Sequence, residues 1–141
     1  MASTLFDGLE APPAAKLLGW KLLALDTGAG TIKVEFDGKT AFVNSTGYIQ
    51  GGFLAAMLDD TLGPITFAMT EGKTLGRTID LHIHYLKPAL PGRIVGLGKI
   101  TQLGRRIAYL EGHLNDQDGN VVARATSSAM MFGYKHGNTS T

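Results

Sequence analysis

Two adjacent glycines and two adjacent aspartates, Gly51-Gly52 and Asp59-Asp60, stand eight residues apart on a segment that reads as one long helix. A glycine pair at a helix start leaves backbone N–H groups without acceptors and without a Cβ to obstruct a ligand oxygen. The positive end of the helix dipole favours negative charge there. Such donors form an oxyanion hole, and losing one typically costs ~3–4 kcal/mol of transition-state stabilisation. A carboxylate within the apolar stretch FLAAMLDDTLG is expensive unless paired or used, and partial burial would raise its pKa toward values useful for a base. Asp59 and Asp60 lie ~100° apart around a helix, so one can face a cleft while the other reaches solvent or an ion pair. Taken alone, the glycines fit a tight loop and close helix packing at least as well, and both carboxylates fit a solvated surface.

Other chemistries find less support. The chain has no cysteine, which removes disulfides, thiolate metal sites and a cysteine nucleophile and makes a reducing, cytoplasmic setting the expectation. No G-x-S-x-G occurs, and Ser127-Ser128 fall in a strand with no base nearby. His82 and His84 place two imidazoles on one strand face without a third ligand in register, so a solvated or interface face is expected and no metal site. A formal charge of +1 advertises neither nucleic acid nor a membrane surface as partner. No segment approaches the ~20 apolar residues that span a bilayer. Nothing in the sequence requires a cofactor.

The elements that must position these groups fit one α+β domain over residues 1–133, followed by a polar, frayed tail over 134–141. A short helix is expected over Leu9–Leu18, with Pro12 and Pro13 near its first turn and Gly19 as its stop. Lys21–Asp26 and Thr31–Phe36 form a hairpin around Thr27-Gly28-Ala29-Gly30. The Gly- and Asn-rich loop 44–52 then leads into a helix from Phe53 to about Met69, apolar over most of its circumference and kinked at Pro64. Four strands follow, Arg77–Lys87, Arg93–Leu103, Arg106–Asn115 and Val121–Phe132, with hairpin connections. Ile79, Leu81, Ile83 and Tyr85 share one face by alternation, opposite Asp80, His82 and His84. One buried helix against a curved antiparallel sheet is the inferred architecture.

This order of elements, together with the run NSTGYIQGGFLAAMLDDTLG and the later segments GRTIDLHIHYLKPA and DGNVVARATSSAMM, resembles the PaaI-like hotdog acyl-CoA thioesterases from roughly Ala14 to Phe132. The resemblance implies a hotdog fold, a long central helix wrapped by the sheet, and hydrolysis of an acyl-CoA thioester. It also implies that Asn44 is the loop asparagine, that the Gly51 N–H binds the thioester oxygen, and that Asp59 rather than Asp60 is the nucleophile or general base. Thr78 falls where some members place a water-positioning hydroxyl, although plain alternation would turn it away from the apolar face with Asp80 and His82. The family commonly has His-Gly-Gly where this chain has Gln50-Gly51-Gly52. Gln50 cannot titrate, so it is expected to act as a neutral hydrogen-bond donor.

Around that core, Gly52, Tyr48 and Phe53, with Leu54 and Met57 behind, are candidates to line the acyl site. Arg77, Lys87, Arg105 and Arg106 are candidates to meet the CoA phosphates, although ordinary surface charge explains each as well. If the helix starts at Gly51, Asp59 lies ~12 Å along its axis, too far for both to contact one thioester carbon. Two chains packed about a twofold axis would close the gap, so a homodimer is expected, and the resemblance adds a dimer of dimers. Two rivals remain: a hotdog protein that binds acyl-CoA without turning it over, and a hotdog dehydratase or hydratase, for which the loop and helix lack the histidine.

Overall fold

The computed structural model describes residues 4–135 and 138–139. Along the chain these form α1 (Pro13–Leu18), β1 (Lys21–Asp26), β2 (Thr31–Gly38), a 3-10 turn (Thr40–Phe42), α2 (Gly51–Met69), β3 (Thr74–Tyr85), β4 (Gly92–Leu103), β5 (Ile107–Asn115), β6 (Val121–Lys135) and β7 (Asn138–Thr139). The helix expected from Leu9 begins only at Pro13, because two consecutive prolines are tolerated at its N-cap and first position and not inside it. Gly19 ends it at φ 71°, a left-handed backbone that costs glycine little. The tail expected over 134–141 lies outside the described residues except for the end of β6 and the short β7 paired with it.

The sheet is antiparallel throughout, in the order β1-β2-β4-β5-β6-β3, with β7 off β6. The β4–β5 and β5–β6 connections are hairpins as expected. The β3–β4 connection is not: β3 pairs with β6 at one edge of the sheet, while β4 sits beside β2. The linker containing Pro88 and Pro91 is therefore a crossover. Its start is pinned by the N–H groups of Leu86 and Lys87, which donate to Val122 O, and further on Ala89 O accepts from Ile49 N at 2.8 Å.

Helix α2 lies on the inner face of this sheet, and its apolar sides fill the core. Met57, Leu58 and Ile65 are fully buried with Val34, Phe36, Ile94, Leu114 and Val122. The helix approaches β4 so closely that a Cβ on Gly96 would lie 2.1 Å from Thr61 Oγ1. Thr61 is itself buried, and its hydroxyl donates to Met57 O at 2.8 Å. Gly96→Ala is therefore expected to lower the free energy of unfolding by ~1–3 kcal/mol through overpacking. Chemical denaturation tests this, and an unchanged midpoint would mean that α2 shifts freely on the sheet.

Pro64 stands inside α2, and the helix continues through it to Met69. A proline at this position leaves the carbonyl four residues earlier without its helical donor. That carbonyl belongs to Asp60, and Trp20 Nε1 donates to it at 2.9 Å. The indole thus replaces the missing backbone N–H and ties the middle of α2 to the start of β1.

Candidate active site

The N-terminus of α2 opens on an arrangement that its neighbours hold firmly. Gln50 is the N-cap residue, and its backbone N–H donates to Phe42 O at 2.9 Å. Phe53 and Leu54 N–H both turn back to Gln50 O. Gly51 and Gly52 are the first two helical residues, so helix geometry leaves their N–H groups without an intrahelical partner. A Cβ at Gly52 would meet nothing within 4 Å, so that member of the pair has no neighbour against it. The loop before it is organised by Asn44, whose Oδ1 accepts from Thr46 N, Thr46 Oγ1 and Tyr48 N at 2.7–3.2 Å. That carbonyl is fully committed, which leaves the Asn44 amide nitrogen as the side chain's donor.

A cleft of about 390 Å³ lies beside this helix end, lined by Asn44, Tyr48, Gly51, Tyr85 and Lys87 and backed by Leu54 and the crossover residues Leu86, Pro88 and Ala89. Tyr48, Gly51, Asn44 and Lys87 were expected at the site. Tyr85 was not, yet its hydroxyl donates to Gly51 O at 2.8 Å, and its ring would sit 3.2 Å from any Cβ at position 51. Alternation had placed Tyr85 on a covered face, whereas in the single chain it is 52% exposed. Phe53 stacks on Phe42 with ring centroids 4.2 Å apart, and Met57 is fully buried, so neither lines the cleft. The Gln50 side chain is exposed and does not cap the helix.

Asp59 stands two turns further along, on the outward stripe that runs through Gly52, Ala56 and Gly63. Thr78 Oγ1 donates to Asp59 Oδ1 at 2.7 Å. This contact depends on an irregularity that alternation does not reveal. The β3–β6 register shifts between Thr78 and Asp80, so Ile79 is bulged and Thr78 pairs with Ala129, which is buried on the helix side. Ile79 therefore leaves the face shared by Leu81 and Ile83, and it is 55% exposed. Asp80 spans the interruption, with Oδ1 accepting from both the N–H and the hydroxyl of Ser128 at 2.8 Å. Those bonds hold its carboxyl below the usual carboxylate range. Arg77, Arg105 and Arg106 lie at this end of the sheet: Arg77 pairs with Met130, itself opposite Ile107, and Arg106 O accepts from Met131 N. The Arg77 guanidinium lies 4.3 Å from the centroid of the Phe132 ring.

The burial expected of Asp59 falls on its neighbour instead. Asp59 is exposed in the single chain, while Asp60 turns toward the protein and its Oδ2 is buried without a hydrogen-bond partner among the described residues. Burial, with the Asp59 charge adding to it, pushes the Asp60 carboxyl from 3.8 up to about 6. A raised acid pKa means that the folded state binds the proton more tightly than the unfolded one. The resulting destabilisation is absent below pH 3.8 and fully present above about pH 6. Asp60→Asn is accordingly expected to raise Tm at pH 7.5, with the gain shrinking as pH falls from 6 toward 4. A gain that is constant across this range would show that burial of the charge is not its origin.

The site residues thus fall into two groups on one chain. Asn44, Tyr48, Gln50, Gly51, Tyr85 and Lys87 surround the N-terminus of α2, while Asp59, Thr78, Arg77, Arg105 and Arg106 gather two helical turns away. The sequence profile of the thioesterase superfamily matches residues 46–123, a span that holds the Gly51 donors, Asp59 and Thr78. The chain belongs to the thioesterase superfamily. A phenylacetic acid degradation-related protein of Ralstonia eutropha JMP134 is 34% identical, with a TM-score of 0.84 over 89% of this chain and 95% of its own. The Escherichia coli PaaI protein of the phenylacetic acid degradation operon shares the fold at 17% identity, with a TM-score of 0.74 over 83% of this chain and 86% of its own. In sequence, the medium/long-chain acyl-CoA thioesterase YigI of Salmonella typhimurium is 25% identical over 96 residues, 59% of this chain and 62% of its own. The PaaI-like hotdog family expected from the sequence is borne out, and with it a thioester hydrolase. No helix among the described residues is long and apolar enough to cross a membrane.

Proposed function

We propose that the protein hydrolyses the thioester of an aryl- or short- to medium-chain acyl-CoA to free acid and CoA, at two equal sites built across a homodimer. The observation that carries this reading is the Thr78–Asp59 hydrogen bond at 2.7 Å on the outward stripe of a helix whose first two N–H groups have no intrahelical partner. Asp59 attacks the thioester carbon itself or takes the proton from an attacking water. Thr78, with its own proton committed to Asp59, has lone pairs left to accept from that water. The Gly51 N–H holds the oxygen as it becomes anionic, aided by the helix dipole and by donors from Asn44 and Gln50.

The division of the site supports the dimer. Gly51 lies beside Tyr85 and Asp59 beside Thr78, so α2 and β3 run antiparallel with the two half-sites at opposite ends. Among the described residues strand β3 is an edge of the sheet, paired with β6 on one side only, and it carries the exposed Ile79 and Tyr85. A twofold axis passing level with Ala55 and with Leu81–His82 would lay the Asp59–Thr78 half of one chain against the Gly51–Tyr85 half of the other. Arg77, Arg105 and Arg106 would then flank a cleft from across the interface, placed for the phosphates of CoA, with Lys87 on the near side. A dimer of dimers extends the same arrangement.

The aryl alternative draws on the phenylacetic acid degradation-related relative, and the medium-chain alternative on YigI. Thiol release measured across phenylacetyl, hydroxybenzoyl, short- and medium-chain acyl-CoAs tests the proposal and ranks the acyl groups. Tight binding of acyl-CoA with no thiol released from any of them would favour a binding protein instead.

A further inference from the structure

We infer that Tyr85 is a positioning residue for a second oxyanion donor, the Gly52 N–H, a role that rests on the thioesterase reading above. The Tyr85 hydroxyl donates to Gly51 O at 2.8 Å. That carbonyl and the Gly52 N–H belong to one planar peptide unit, so fixing the direction of the oxygen fixes the direction of the N–H. The bond also draws electron density toward the carbonyl, which makes the N–H at the other end of the peptide a better donor. As a helical carbonyl, Gly51 O also faces the N–H four residues on, so the tyrosine adds a side-chain anchor to the first peptide of the helix, which lies between two residues without side chains.

Three further features agree. The Tyr85 ring fills the space in which a Cβ of residue 51 would stand, at 3.2–3.3 Å, so the two residues are fitted to each other. Tyr85 lines the cleft with Gly51. A Cβ at Gly52 would meet nothing within 4 Å, so no neighbouring side chain crowds that residue. Tyr85 comes from the last residue of β3, and the adjoining crossover is anchored on Val122 O and on Ile49 N. The tyrosine is thereby held from the sheet through Val122 O, and its crossover is joined through Ile49 N to the loop beside the helix start. Its place in catalysis is to hold a donor, not to touch the reacting atoms.

The test is steady-state kinetics of Tyr85→Phe on the best acyl-CoA, alongside the wild-type chain and a thermal melt of both. The expected result is a kcat lower by about tenfold with KM nearly unchanged, less than the ~100-fold that follows outright loss of an oxyanion donor. A purely structural role would instead lower Tm and leave the kcat of the folded fraction as it was. Wild-type kcat in Tyr85→Phe, or a loss confined to KM, overturns the inference while leaving the thioesterase reading intact. Absence of turnover by the wild-type chain overturns that reading and this one with it.

Discussion

Asp59→Asn is expected to lower kcat by roughly 10²–10⁴-fold on the best acyl-CoA, while the protein folds and melts as the wild type does. The change keeps the side-chain shape and the Oδ1 acceptor that Thr78 Oγ1 uses at 2.7 Å, and removes only the negative charge. Asp60→Asn, one position along, is expected to leave kcat within a few-fold of wild type, because that carboxyl turns inward and away from the outward stripe. Equal losses from the two substitutions would remove the basis for assigning the chemistry to Asp59. Single-turnover hydrolysis in isotopically labelled water can identify a nucleophilic Asp59. A nucleophilic carboxylate passes through an anhydride, and water that opens it at the Asp59 carbon leaves label in the protein and none in the product acid, an outcome that general-base attack of water on the thioester cannot give.

A mixture of two inactive chains is expected to recover activity. Asp59→Ala removes the carboxylate half of the site, and Gly51→Val obstructs the donor half, where even one added carbon would meet Tyr85 at 3.2 Å. If each site joins Gly51 of one chain with Asp59 of the other, a mixed dimer contains one intact site and one doubly damaged site. Random pairing of equal amounts then restores about a quarter of wild-type activity. Mixed dimers that form, as shown by differential tagging, and still release no thiol would exclude a shared site. Along the helix axis the eight residues from Gly51 to Asp59 span ~12 Å, and no rotamer of Asp59 closes that distance within one chain.

Most of the scaffold was legible because it rests on strong local signals. Period-2 alternation and turn residues marked β1, β4, β5 and the start of β6 to within a residue, and the apolar run marked α2. The strand order was not legible in the same way. Pro88 and Pro91 look like any turn, and only long-range pairing decides that β3 crosses to the far edge beside β6. At the candidate site, the spacing of Gly51 and Asp59 pointed to them through the family resemblance, since a glycine pair and an aspartate pair alone fit a tight loop and a solvated surface. Thr78 hinged on a bulge at Ile79, which sets side-chain parity and leaves no clear local mark in the sequence. Tyr85 was hidden for a different reason: its residue type fits a covered strand face, and its partner is a backbone carbonyl 34 positions earlier. The inward turn of Asp60 belonged to the same class, since adjacent helical carboxylates are distinguished by what packs around them.

The indole that completes the α2 ladder at Pro64 has a spectroscopic consequence. Trp20 is the single tryptophan of the chain, and its N–H ends on the carbonyl of the residue next to Asp59. Its indole emission therefore comes from one fluorophore whose hydrogen-bond acceptor is part of the helix that bears Asp59. Any event that lifts, slides or locally unwinds the middle of α2 must lengthen or break that bond and so change the colour and yield of the light. The protein carries its own optical gauge of the helix that bears Asp59, without a dye or a label.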